Sequence, residues 1–224
     1  MTEGILFSQM TPRSEEVDRF NSWYDDDHIP ARLVLPGFQR ATRYGPLPGE
    51  DEFLAVYEVD SLDAFATAGY LDLKRDPSDE TTYMLGRVSG FTRYLCELLS
   101  DTGDVSGAQY LSAVAFAVPE EDRAEFEHWY ADEHVPMLMA APDWLRVRRY
   151  HVVDGQGGPW THIALHELAS LEVMDSPERE RARSGPLRAQ LADREWFGRS
   201  GRWLYRSLGV RTLESLTTPV IAGE

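Results

Sequence analysis

The segment from Phe20 to Pro30 reads FNSWYDDDHIP, and 106 residues later Phe126 to Pro136 reads FEHWYADEHVP. Aligned at that offset, residues 20–44 and 126–150 share ten identities in twenty-five, where unrelated sequence gives about one or two. The echo continues with small shifts: LAVYEVDSLDAF from Leu54 answers IALHELASLEVM from Ile163, and GRVSGFTRYL from Gly86 answers GRSGRWLYRSL from Gly198. A chain that repeats at this period builds its core from two like units, each of roughly a hundred residues. The expected division is 1–105 for the first repeat, 106–212 for the second and 213–224 for a C-terminal tail.

Each repeat reads as strand, helix, strand, strand, helix, strand. GILFSQM and YLSAVAFAV are short apolar runs of strand type. Acid-rich segments follow, with Ser14 expected as an N-cap and Pro119 suited to a first turn. Pro30 and Pro136 are expected to stop these helices, since proline disfavours a helical residue before it. FQRATRY and WLRVRRYHVV alternate as strands, and Gly/Pro turns join them to the next strands as hairpins. Ser61 and Ser170 are placed to cap a second helix. The order β-α-β-β-α-β is the ferredoxin-like arrangement. Such a unit leaves one sheet face bare, so the expected fold class is α+β, two repeats forming an intramolecular, pseudo-dimeric α+β barrel.

The formal net charge of −16 works against binding nucleic acid or anionic membrane surfaces, both of which call for a basic footprint. A small-molecule substrate is the expected partner, with a homodimer as a further option beyond the internal pairing. One cysteine, Cys96, permits no internal disulfide, and a cytoplasmic location is the expectation. Neither a signal peptide nor a membrane-spanning run is apparent.

Positions i, i+4 and i+8 of a helix share one side, which aligns Phe20, Tyr24 and His28 in one half and Phe126, Tyr130 and His134 in the other. Trp23 and Trp129 lie beside these rows. A helix C-terminus and the neighbouring Asp27 or Glu133 favour imidazolium, whereas burial favours the neutral ring. The opposed pushes predict histidines that titrate near neutrality, as general acids and bases require. A purely structural joint that hydrogen-bonds the histidine is the competing reading.

The halves differ. Five of six histidines lie in the second: His128, His134, His151, His162 and His166. His162 and His166 stand where the first half has Phe53 and Tyr57, on one face of a strand. Four strand residues span roughly 13 Å, too far for two histidines to chelate one ion, so no metal site is expected. Alternation puts Trp144, Arg146, Arg148 and Tyr150 on one face, with Phe38, Arg40, Thr42 and Tyr44 as counterparts. A buried arginine needs a carboxylate such as Asp27, Glu58, Glu133 or Glu167, unless it is reserved for a substrate anion.

The doubled W-Y-x-x-[DE]-H-[IV]-P motif, within two ferredoxin-like repeats, resembles the dimeric α+β barrel superfamily and most closely its EthD-like branch. The resemblance implies two units paired sheet against sheet, and relatives that include cofactor-free monooxygenases, cyclases, isomerases, a lyase and heme proteins of the chlorite dismutase kind. Fold alone fixes no reaction. The leading expectation is a cofactor-free lyase, cyclase or isomerase, leaning to lyase, acting on an apolar or aromatic carbonyl compound. His134 foremost, with His28, would move the proton while Tyr130 or His166 holds the oxyanion. Trp129, Trp144, Arg146, Tyr150, His128, His162, Tyr24 and Tyr57 would bind the substrate. The alternatives are a monooxygenase, cofactor-free or heme-dependent since heme needs only one axial histidine, and a non-catalytic ligand-binding protein.

Overall fold

The structure is a computed structural model and describes residues 3–217. They form two compact units, 3–97 with 208–217 and 98–207. In the first, β1 (Gly4–Pro12), β2 (Phe38–Pro46), β3 (Phe53–Val59) and the start of β5 (Arg93–Gly103) make an antiparallel sheet. β1 lies between β3 and β5, and β2 flanks β3, while the two-residue β4 (Val88–Ser89) pairs with the end of β1. In the second, β6 (Tyr110–Phe116) lies between β8 (His162–Leu168) and β9 (Gly201–Thr212), with β7 (Trp144–Gln156) outside β8. Each unit therefore has the ferredoxin-like order, and the fold class is α+β. The unit boundaries fall within β5 and β9. Of the expected tail, residues 213–217 form a short helix and 218–224 lie outside the described residues.

α1 (Val17–Trp23) and its counterpart α5 (Arg123–Trp129) lay their aromatic rows on the sheets. Phe20, Trp23 and Tyr24 join one core and Phe126, Trp129 and Tyr130 the other, all at most 2% exposed. Pro30 and Pro136 do not end these helices. Tyr24–His28 and Tyr130–His134 are π turns, in which the Ile29 N–H reaches the Tyr24 carbonyl at 3.0 Å and the Val135 N–H that of Tyr130. A widened turn leaves room for the proline ring and makes it an early residue of the next turn, α2 (Pro30–Leu33) or α6 (Val135–Leu138), where a missing N–H costs little. Ser14 is not a cap either: it belongs to a 3₁₀ turn and its hydroxyl bonds Glu15. Ser61 and Ser170 do cap, but what they cap are 3₁₀ turns. The true helices α3 (Ala68–Arg75) and α7 (Pro177–Ala182) start at Thr67 and Ser176, and are followed by α4 (Asp79–Leu85) in the first unit and by α8 (Pro186–Leu191) and α9 (Glu195–Gly198) in the second.

Bulges between Phe38 and Arg40 and between Trp144 and Arg146 change the strand parity. An inserted residue moves every later side chain to the other face. Trp144 thus shares the helix-facing side with Val147 and Arg149, not with Arg146, Arg148 and Tyr150 as unbroken alternation predicts. Likewise Phe38 goes with Ala41 and Arg43, whose guanidinium lies 4.6 Å over the Tyr24 ring.

Candidate active site

In the second unit, side chains from β6, β8, α5, the π turn and the helices after β8 enclose a cavity of about 80 Å³. Its walls include Val114, Phe116, Trp129, Leu138 and Phe197, and His134, Tyr130, Trp144 and His166 also line it. The donor directions in this group follow from chemistry. The Trp144 indole can only donate, and it reaches His166 Nδ1 at 3.2 Å. Burial, then the nearby His134 and arginines, push the His166 pKa well down, so the ring is neutral. Its one proton must sit on Nε2, which donates to the Tyr130 hydroxyl at 3.0 Å. Tyr130 accepts that bond and keeps its own hydrogen for a further acceptor. Burial also raises the Tyr130 pKa, so the phenol stays protonated at neutral pH.

His134 is complementary. Its Nδ1 lies 3.2 Å from the Ala182 carbonyl, which can only accept, so Nδ1 carries the hydrogen and the Nε2 lone pair is unused. The ring packs on Trp129 and Tyr130, with centroids at 4.6 and 5.1 Å. Its pKa falls to about 4, mainly through burial, with the Ala182 bond opposing and Arg188 and Arg202 adding to the fall. The expected titration near neutrality is therefore overturned. The supporting carboxylate is also absent: Glu133 turns away to accept the backbone N–H groups of Leu187 and Arg188 at 2.8 and 2.9 Å, at the start of α8. Gly185 makes that possible, since a Cβ there would lie 2.3 Å from the carboxylate carbon.

Other candidates lie elsewhere. His128 is on the solvent side of α5, bonded to Asp132 at 2.6 Å. Arg146 is held by Asp101 at 2.5 Å and lies near Glu167, and Tyr150 faces away from Trp144. For Arg40 and Arg146 a carboxylate partner is present, Glu58 for the former. His162 shares the helix-facing side of β8 with His166 but packs on Phe126 at 5.1 Å, beside Glu127, and lines a separate small space with Tyr150. Its pKa falls to about 3, mainly through burial.

His28, Tyr24 and Tyr57 line a cavity of about 150 Å³ in the first unit, at positions equivalent to His134, Tyr130 and His166. There the Tyr24 hydroxyl faces the Met10 sulfur at 3.7 Å, and among the described residues neither the Tyr57 hydroxyl nor His28 Nδ1 has a hydrogen-bond partner. His28 is also driven well below its usual pKa, by burial first. Asp27 accepts from Ser78 at 2.5 Å and so does not face the imidazole.

Arg179, Arg183, Arg188 and Arg202 also line the second cavity and were not among the residues expected there. A signal for them exists in the sequence: Pro177 to Arg202 holds seven arginines against four acids in a chain of net charge −16.

The sequence matches no protein-family model and no curated protein. Solved structures are similar in fold. An anthrone oxidase-like protein superposes with a TM-score of 0.67 at 12% identity, over 93% of this chain and 92% of its own. A proposed monooxygenase from Fusobacterium nucleatum gives 0.65 at 9% identity, over 95% of each chain. One from Lactobacillus acidophilus gives 0.64 at 10%, over 95% of this chain and 97% of its own. A proposed chlorite dismutase gives 0.53 at 14%, over 92% and 95%. At these identities the likeness is one of fold, that of the dimeric α+β barrels.

Heme, which that superfamily includes, asks for an axial histidine and a broad slot. His134 has a free Nε2 and an anchored Nδ1, as an axial ligand needs. The slot is missing: Trp129, Tyr130 and His166 crowd the imidazole at centroid distances of 4.6, 5.1 and 6.5 Å. The residues present do not fit heme.

Proposed function

We propose that the second unit carries a cofactor-independent active site acting on an aromatic carbonyl compound with an acidic C–H or O–H. The observation that carries this reading is the pairing, in one apolar cavity, of an unprotonated His134 Nε2 with a Tyr130 hydroxyl whose hydrogen is kept free by the Trp144–His166 chain. His134 removes the proton beside the carbonyl, and Tyr130 donates to the enolate or phenolate oxygen as charge develops. Reprotonation at another atom, or expulsion of a leaving group, gives an isomerase, cyclase or lyase.

A second fate of the same anion is favoured by the similarity to an anthrone oxidase-like protein and two proposed monooxygenases. A deprotonated benzylic methylene can react with dioxygen. One oxygen atom becomes the new carbonyl oxygen and the other leaves as water, and oxidation of CH₂ to C=O supplies all four electrons. No external reductant is needed. The two fates share the first step, so lyase chemistry and oxygenation part only after it. The aligned cavities of the two units also support the reading of the chain as a fused pair of EthD-like repeats with a small-molecule partner.

The test is solvent deuterium exchange into an aromatic ketone with an acidic methylene, followed by NMR without oxygen, and oxygen uptake in air. Exchange that depends on His134 supports the proton-transfer step. Uptake of one O₂ per ketone formed selects the oxygenase, whereas exchange without uptake selects the isomerase or lyase group. A panel of such ketones that neither exchanges nor consumes oxygen above the buffer rate overturns the reading.

A further inference from the structure

Arg179 on α7, Arg183 just after it, Arg188 on α8 and Arg202 on β9 converge on the cavity of the second unit. The chain has 38 acids for 22 bases, and most neighbouring arginines are paired: Arg149 with Glu127, Arg146 with Asp101, Arg148 with Glu167, Arg181 with Glu178, Arg194 with Asp122. Among the described residues, none of the four around the cavity has a carboxylate within ion-pair distance, and no Asp or Glu lines the cavity.

Their side-chain contacts are instead with neutral groups. Arg179 donates to the Met174 carbonyl, Arg202 to the Ser200 hydroxyl at 2.9 Å, and Arg188 lies 5.3 Å over the Phe197 ring. The group also repels itself. Arg179 is lowered in pKa by burial and then by Arg183 and Arg202, with Asp175 and Glu180 opposing; Arg202 is lowered by burial, with Tyr130 opposing and Arg183 and Arg188 adding to the fall. Four like charges gathered with no carboxylate at ion-pair distance among the described residues cost free energy, which an anion would return.

A second, independent observation concerns a wall residue. Trp129 lines the cavity, and its buried Nε1 has no hydrogen-bond partner among the described residues, whereas its counterpart Trp23 donates to Thr81 at 2.9 Å. A buried N–H left unsatisfied costs about 1–3 kcal/mol, and a ligand oxygen would recover it. The cavity thus offers apolar walls and a set of donors, with His134 Nε2 the one prominent acceptor.

We infer that the ligand of this cavity is an aromatic acid, its ring between the apolar walls and its carboxylate among Arg179, Arg183, Arg188 and Arg202. As a statement about the substrate, the inference rests on the reading that this cavity is the active site; as a statement about binding, it does not. Guanidinium groups take a carboxylate in a two-point fork, so the arginines fix the ring's orientation as well as its charge.

The test is calorimetric titration of the full chain with two isosteric pairs, benzoate against benzamide and 2-naphthoate against 2-naphthamide, at low and moderate salt. At least one acid is expected to bind ten times or more tighter than its amide, with the preference shrinking as salt rises. The double variant Arg188→Gln/Arg202→Gln is expected to abolish the preference, and Arg183→Gln, at an exposed position that places little demand on folding, to reduce it severalfold. Arg194→Gln, at a surface ion pair outside the cavity, should leave it intact. Equal binding of acid and amide, no binding of either acid at millimolar concentration, or equal loss in Arg194→Gln overturns the inference. Arginine-dependent acid binding with no His134-dependent exchange sinks the catalytic reading alone. His134-dependent turnover of ketones with no charge preference sinks the present inference alone.

Discussion

The two units put the same scaffold to different ends. In the first, Phe38 and Tyr57 meet edge to face at 6.4 Å, and the Tyr24 hydroxyl ends on a sulfur. In the second, Trp144, His166 and Tyr130 occupy those positions and form a directed chain of hydrogen bonds. The helix-turn histidines part in the same way: His134 Nδ1 is anchored on Ala182, while His28 Nδ1 is buried with no partner among the described residues. A structural joint would hydrogen-bond its histidine in both copies. Among the described residues the first unit makes no such bond through Nδ1. Arg32, standing where the second unit has Leu138, reaches back to the His28 carbonyl at 2.8 Å, lies over the Tyr57 ring and lines the first cavity.

The most direct way to break this asymmetry is to remove each histidine separately. His134→Ala should lower kcat/KM by about 10²–10⁴-fold, the usual worth of a general base. His28→Ala should leave it within about threefold. Deuterium exchange into the substrate measures both. Equal losses would mean two working sites, and a loss confined to His28→Ala would reverse the assignment.

Acid should then separate the units by stability. His28, His134, His162 and His166 all have folded-state pKa values below the unfolded value near 6.5. In that range the unfolded chain binds more protons than the folded one, so stability is undiminished above about pH 6.5 and falls as pH drops toward 4. Each such histidine contributes a slope of up to about 1.4 kcal/mol per pH unit. Three of the four lie in the second unit. Amide hydrogen exchange from pH 7 to pH 4.5 should show that unit losing protection before the first, and simultaneous loss in both would contradict the burial of these rings.

Much of the fold was legible because a repeat at fixed offset carries its own evidence, and because apolar runs, hairpin turns and helix rows follow local rules. Phe20, Tyr24 and His28 do face the sheet as their spacing predicts. What local rules could not supply were two single-residue insertions. The π turns carry the helices through Pro30 and Pro136, and the bulges before Arg40 and Arg146 exchange the faces of the second strands, which moved Arg146 and Tyr150 away from the cavity and turned Arg149 to the helix-facing side, against Glu127. Glu133 was misread for a related reason: its neighbour in sequence is His134, but its partners are N–H groups more than fifty residues on. The arginines of the rim come from three separate elements, and only their density in the sequence hinted at them.

The finest test exchanges the residues that distinguish the units. Trp144→Phe gives the second unit the first unit's residue and removes the indole that holds His166 Nδ1 unprotonated. His166 then has both neutral tautomers open to it, and in the Nδ1–H form Nε2 becomes an acceptor that draws the Tyr130 hydrogen away from the cavity. The loss is that of one oriented hydrogen bond, about 0.5–1.5 kcal/mol, or roughly twofold to twelvefold in kcat/KM. Because Tyr130 acts on developing charge, the change should fall on kcat and leave KM nearly constant. Phe38→Trp, the reverse exchange in the first unit, should change neither. A Trp144→Phe variant that raises KM at constant kcat would show the indole to be a wall of the cavity and not the start of a relay, and the contrast between the units would reduce to His134 and the arginines around it.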